Sequence, residues 1–505
     1  MKTENIIPNA PPAAADSWLA GRIKPEQIQK YLAGTGCFID AARIENCLKV
    51  NAQPDQAKVR DILRKSLAIQ TLTPDETACL LNVEDASLWD EMEATAGCIK
   101  KKVYDNRIVT FAPLYCSNLC VNDCQYCGFR RSNPAAQRHK LTLDQVKSET
   151  EVLAGVIGHK RLIVVFGEHP QTDTDYIASV IETIMSVRIK TRRGLGQIRR
   201  CNINAAPMSI EDLRILHKSG IGTYQVFQET YHPEQYRLLH PAGTIKGDYL
   251  WRLYAMHRAL EAGCDDVGLG ALFGLYDWKF EVMGLLHHAL ELEDKFGIGP
   301  HTISFPRLEP AENTPLADHS AYKVSNADFR KLVTVIRLSV PYTGMILTAR
   351  ENAEMRKQII PLGCTQTDAS SRIGVGAYAS ANDEQQGSKQ QFILGDTRSL
   401  DTVVRELAEA GFITSFCTAG YRCGRTGKKI MNLLRSGREG QFCKLNAVLT
   451  FREWLDDFAS AATMAAGEKI IAGEIEEIRR KLPAVCPQFM DFYEKIKAGG
   501  RDIYF

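Results

Sequence analysis

The sequence predicts an α/β fold, a (β/α)8 TIM-type barrel with a helical N-terminal extension and a mostly helical C-terminal domain. Three observations predict it. Between about residue 105 and about residue 385, short β-rich runs alternate with amphipathic helical stretches, the pattern of parallel βαβ units. Seven such runs are present, close to what a closed barrel needs and more than a doubly wound sheet commonly carries. The two ends of the chain lack such runs and read as helical.

Residues 1–95 form the expected N-terminal extension. Its opening Pro/Ala stretch reads as a loose arm, and "TPDETACLLNV" places a Thr cap three residues before Glu76, the start signature of a helix. The barrel is expected over 96–385, with strands in "RIVTFAP", "RLIVVFG", "CNINAAP", "TYQVFQE", "DDVGLGA", "HTISFP" and "MILTARE". Among the intervening helices, Leu250, Leu253, Met256 and Leu260 recur at helical spacing. The polar, Gly-containing stretch "GAYASANDEQQGSKQQF" reads as a linker, followed by the helical C-terminal domain, 386–505.

Composition excludes several function classes. The 505 residues are 45% hydrophobic and 24% charged with a formal net charge of +2, which gives no electrostatic case for nucleic acid or an anionic membrane. No apolar stretch approaches the length of a membrane span and the N-terminus carries no apolar signal core, so a cytoplasmic protein is expected. Fifteen cysteines is a high count, and in a reducing compartment thiols serve as ligands or small buried hydrophobes. Eight are scattered (Cys37, Cys47, Cys79, Cys98, Cys201, Cys264, Cys364 and Cys486) and read as packing.

Clustering sets the others apart. "CSNLCVNDCQYCGFRRSN" follows the first expected strand, where a barrel places its catalytic loops. Cys120-x3-Cys124-x2-Cys127 puts three thiolates on one short loop. Three ligands leave one iron of a four-iron cluster open to a further ligand, whereas a structural zinc site has four ligands in two pairs. Cys116 lies outside this pattern and is assigned no ligand role.

The Cx3CxxC spacing, with Tyr126 before the last cysteine, resembles the signature of the radical S-adenosylmethionine (SAM) superfamily. "CGFRRSN", "VVFGEHP", "YQVFQETYHPE", "GLGALFGLYDW", "GPHTISFPRLEPA", "PYTGMILTAREN" and "FCTAGYRCGRTG" extend the resemblance to its aromatic amino acid lyases, both the hydrogenase-maturase branch (HydG) and the thiamine-pathway branch (ThiH). The resemblance implies a [4Fe–4S] cluster on Cys120, Cys124 and Cys127, with SAM on its open iron. It further implies cleavage of the Cα–Cβ bond of L-tyrosine by a 5′-deoxyadenosyl radical, giving 2-iminoacetate (dehydroglycine) and p-cresol. A one-electron reductant such as ferredoxin or flavodoxin is the expected donor, and a thiazole synthase or the hydrogenase maturases are the expected pathway partners. A tryptophan lyase and a non-catalytic iron–sulfur scaffold are the remoter alternatives.

The resemblance assigns roles residue by residue. Tyr126, Gly167, Glu168, His169, Glu229 and Arg307 are expected to bind SAM. Gln228, Tyr231, Thr348 and Arg350 are expected to bind substrate, with Thr348 and Arg350 holding its carboxylate, a planar anion suited to a guanidinium fork. The structural alternative for Arg307 is a salt bridge to Glu309 or Glu351.

The C-terminal block decides between the two branches. The maturase branch holds a second cluster on Cys-x2-Cys-x22-Cys, with a histidine on an extra iron. Cys417 and Cys443 take the outer positions, but Gly420 stands in the middle, and Cys423 lies three residues further on. Either Cys423 replaces the missing ligand or the cluster is lost, and the spacing favours loss. His301 is the expected histidine, with His288 as its rival. Loss implies thiamine-branch output on a maturase-sized scaffold; a second cluster implies a complete [FeFe]-hydrogenase maturase making carbon monoxide and cyanide.

Overall fold

The computed structural model describes residues 12–34, 36–380, 385–437 and 439–505. The expected N-terminal arm, residues 1–11, lies outside them, as do residues 381–384 of the expected linker.

Eight parallel strands close into a barrel: β1 Arg107–Ser117, β2 Arg161–Phe166, β3 Arg200–Asn204, β4 Tyr224–Gln225, β5 Val267–Gly270, β6 Thr302–Ser304, β7 Gly344–Leu347 and β8 Gln366–Asp368. Closure is made by β8 on β1, with Val109 opposite Gln366 and Phe111 opposite Asp368. Every residue of β1 is buried, because one face lines the barrel and helices cover the other. Helices such as Thr174–Ser186, Trp278–Phe296 and Asn326–Ser339 form the outer ring.

β8 is the strand that the sequence pattern did not show. It is three residues of Gln, Thr and Asp, with no apolar alternation, and the barrel neighbours on either side impose its extended form. A ninth strand, β9 Ile413–Ser415, pairs with the lower end of β1, Arg107–Val109. Val109 has Gln366 on one flank and Ser415 on the other, so β9 lies below β2. The sheet therefore crosses the boundary expected at residue 386.

The N-terminal extension is helical as read, and Thr73 and Glu76 form a reciprocal capping box. The C-terminal helix Glu439–Phe458 is tied to the barrel by buried charges: Glu453 accepts from Lys160 at 2.7 Å and from Arg199 at 2.5 and 3.1 Å. Burial alone would raise the Glu453 carboxyl, but the two cations outweigh it and hold it well below the carboxylate range. No helix among the described residues is long and apolar enough to cross a membrane.

Candidate active site and barrel floor

A cavity of about 200 Å3 opens at the C-terminal end of the barrel. Strand parity builds its wall. Phe111, Pro113 and Tyr115 of β1, Ile163 and Val165 of β2, Gln225 of β4, Ser304 of β6, Ile346 of β7 and Asp368 of β8 all face inward. The loop after β1 supplies Cys120, Cys124 and Cys127 to the same wall. Cys116 is instead a fully buried residue of β1 outside that wall.

Burial raises the Cys120 thiol and pushes the Cys124 thiol up to about 12, and the neighbouring thiols add to both. Three thiols on one cavity wall, Cys120 and Cys124 among them resisting loss of their protons to water, suit a metal centre, which displaces the protons and supplies the compensating charge. The donor set therefore fits a cluster held by three cysteines.

Gly167, Glu168 and Glu229 stand on the wall beside them. A Cβ at Gly167 would lie 2.2 Å from the Leu119 carbonyl oxygen, so glycine is what lets the loop before Cys120 approach the end of β2. Glu168 accepts from Asn122 Nδ2 at 2.6 Å and from Arg22 Nε at 3.4 Å, linking the cysteine loop to the N-terminal extension. Glu229 has a left-handed backbone, φ 73°, and accepts from Lys246 at 2.6 Å and Arg252 at 3.0 Å. Burial would raise its carboxyl; Lys246 and then Arg252 outweigh burial and hold it at about 2. Tyr126 shares a hydrogen bond of 2.7 Å with His240 Nε2.

Thr348 and Arg350 reach the cavity from the end of β7. Thr348 Oγ1 is buried with no hydrogen-bond partner among the described residues, and Arg350 lies against the Phe392 ring. Burial lowers the Arg350 guanidinium, an effect that Tyr115 and Glu309 partly offset.

Four expected site residues are not on this wall. Arg307 forms a two-pronged pair with Glu351 and also donates to Asn326 Oδ1 at 2.9 Å, which is the structural alternative for that residue. His169 turns back to accept from Gln171 N at 3.1 Å, capping a short 3-10 turn. Tyr231 is fully buried against the helix Trp278–Phe296, its hydroxyl 3.0 Å from His288 Nδ1. Gln228 is buried but sits between the lining residues Phe227 and Glu229, at the outward parity. Asn122, Lys246, Arg252, Asp368, Gln391 and Phe392 line the cavity without having been expected. For Asn122 a signal was present, since it lies between two ligand-spaced cysteines; Gln391 and Phe392 were hidden in the stretch read as a linker.

A second, smaller cavity of about 30 Å3 lies at the opposite end of the barrel, lined by Arg107, His301, Gln366, Cys417, Gly420, Tyr421 and Cys443. His301 is 3.1 Å from the Tyr421 hydroxyl, so of the two rival histidines His301 belongs to this floor, and His288 packs beside Tyr231. Cys423 does not face the cavity. Its thiol donates to the Phe505 carbonyl oxygen, 3.5 Å away. Gly420 occupies the wall where a third thiol would stand, and Cys417 and Cys443 alone do not make the donor set of a four-iron cluster.

The Radical SAM superfamily pattern matches residues 114–286, and that of the Biotin and Thiamin Synthesis associated domain matches 304–413. The chain is 32% identical to the 2-iminoacetate synthase of Salmonella typhimurium over 69% of its own length and 88% of that protein. It superposes on a crystal structure of HydG, a maturase of the [FeFe]-hydrogenase, with TM-score 0.87 and 47% identity, covering 93% of this chain and 100% of the other. HydG from Carboxydothermus hydrogenoformans aligns with TM-score 0.74 and 34% identity over 94% and 99%.

Proposed function

The chain belongs to the radical SAM superfamily, whose members use a [4Fe–4S] cluster and SAM, and we propose that it cleaves the Cα–Cβ bond of L-tyrosine to 2-iminoacetate and p-cresol and stops there. The carrying observation is that Thr348, Arg350 and the three cysteines share one cavity. When bound, the cluster and SAM supply a carbon-centred radical by one-electron reductive cleavage.

The protein's own residues do the rest. Cys120, Cys124 and Cys127 hold the cluster. Glu168 and Glu229, with Gly167 and Tyr126 beside them, receive the cationic and ribosyl parts of SAM. Arg350 and the unpartnered Thr348 hydroxyl take the substrate carboxylate. Phe111, Ile163, Phe227 and Ile346 offer an apolar wall to the aromatic ring and keep water from it.

The reaction stops at 2-iminoacetate in this reading because the floor has Gly420 for a third thiol and Cys423 is turned towards Phe505. A thiazole synthase is then the acceptor of the product, and ferredoxin or flavodoxin the donor of electrons. The second reading, a complete maturase making carbon monoxide and cyanide, draws on the 47% identity to HydG over an alignment that covers 93% of this chain. Anaerobically reconstituted protein with SAM, dithionite and tyrosine is expected to release 5′-deoxyadenosine and p-cresol. Iron-loaded protein that forms no p-cresol overturns the proposal.

A further inference from the structure

The segment expected to be a linker lies across the cysteine loop. Gln391 O accepts from Gly128 N at 3.0 Å, Ser388 O accepts from Gln137 N at 2.8 Å, and Ile393 N donates to Pro310 O at 2.9 Å. A Cβ at Gly128 would lie 2.5 Å from the Gln390 carbonyl oxygen, so strap and loop meet backbone to backbone.

The Gln391 side chain is held at both ends. Its Oε1 accepts from the Tyr115 hydroxyl at 3.0 Å, and its Nε2 donates to Cys127 Sγ at 3.6 Å. Tyr115 is buried, and burial keeps its phenol protonated, so it acts as a donor. A phenol O–H at one end and a sulfur acceptor at the other fix which way the amide points.

We propose that Gln391 is a positioning residue that sets the reduction potential of the cluster, by donating an N–H···S bond to Cys127 in an orientation fixed by Tyr115. The proposal rests on the reading that Cys120, Cys124 and Cys127 hold that cluster. Reduction adds negative charge to the cluster and its sulfurs, so a donor at Cys127 stabilises the reduced form more than the oxidised one. Gln391 therefore eases the entry of the electron, and it does so from a strap that also brings Phe392 to Arg350.

The test is a redox titration followed by EPR on the full chain, reconstituted anaerobically without substrate. Wild type is compared with Gln391→Leu, Gln391→Met and Tyr115→Phe. Both Gln391 variants are expected to load as much iron as wild type and to titrate at a more negative potential. A roughly tenfold change in the reduction equilibrium corresponds to about 59 mV for one electron. Tyr115→Phe, which frees the amide without deleting it, is expected to move the potential the same way by less. Two variants at Gln391 and one at its anchor keep the test decisive if one of them loads poorly. Fully loaded variants at the wild-type potential overturn the role of Gln391 alone. A wild-type chain that takes up no iron overturns the cluster reading beneath it.

Discussion

Arg307 is paired with Glu351, and this pairing leaves Arg350, which follows the neighbouring strand β7, as the arginine of these two on the cavity wall. The two arginines should therefore fail differently. Arg350→Met is expected to lower kcat/KM for tyrosine by roughly 10- to 150-fold, the equivalent of about 1.5–3 kcal/mol for a hydrogen bond to a charged group, with little change in Tm. Arg307→Met strands Glu351, which is 2% exposed, and is expected to cost stability by about 3 kcal/mol. Thermal melts beside steady-state kinetics check both. A large KM effect from Arg307→Met with unchanged Tm would return that residue to the binding site.

With tyrosine as the proposed substrate, Glu309 is expected to make its binding pH-dependent. Burial pushes its carboxyl up to about 7; Arg350 opposes the rise and Glu351 reinforces it. Below about pH 7 it is neutral and Arg350 is available to the substrate. Above that it is a carboxylate competing for the same guanidinium. KM for tyrosine is expected to rise between pH 6 and pH 8 (about one unit either side of that value), and Glu309→Gln should flatten the profile. The folded value lies above the unfolded one, so the contribution of Glu309 to stability also falls as pH rises from about 4 towards about 7.

Gly167→Ala tests the close approach behind the cysteine loop. Its Cβ would meet the Leu119 carbonyl, a backbone atom that cannot rotate aside. A loss of about 1–3 kcal/mol is expected, with incomplete iron loading because the loop carrying Cys120 has to move. Normal iron content and Tm in this variant would contradict the account of that turn.

Much of this was legible in the sequence. Cys120, Cys124 and Cys127 declared themselves by spacing, and seven of eight barrel strands by apolar runs. β8 did not, because Gln366, Thr367 and Asp368 carry no β signal and are extended only through pairing with β1 and β7. Gln228 lies off the wall because it alternates with the lining residues Phe227 and Glu229, and neighbours on an extended chain face opposite ways. Tyr231 lies off it because Glu281 and His288 of the helix Trp278–Phe296 bind its backbone N–H and its hydroxyl. Gln391 was invisible, since a polar, glycine-containing stretch reads alike whether it is a solvated linker or a strap over a site.

At the barrel floor, a Cβ added to Gly420 meets nothing nearer than Arg425 Nε at 3.7 Å. Gly420→Cys is accordingly expected to fold and to complete a third thiol beside Cys417 and Cys443, raising iron uptake above wild type. Cys423→Ser is expected to leave iron content unchanged, because its thiol faces Phe505. Iron assays on the two variants check this, and a loss of iron in Cys423→Ser would make Cys423 a ligand.

The confinement of chemistry to the upper cavity is tested most directly by counting iron and sulfide in the anaerobically reconstituted wild-type chain, with EPR of the reduced sample. One cluster, about four irons per chain, with a single SAM-responsive signal is the predicted result. Two clusters, about eight irons per chain, with a second signal that ignores SAM would contradict it and make the chain a complete maturase.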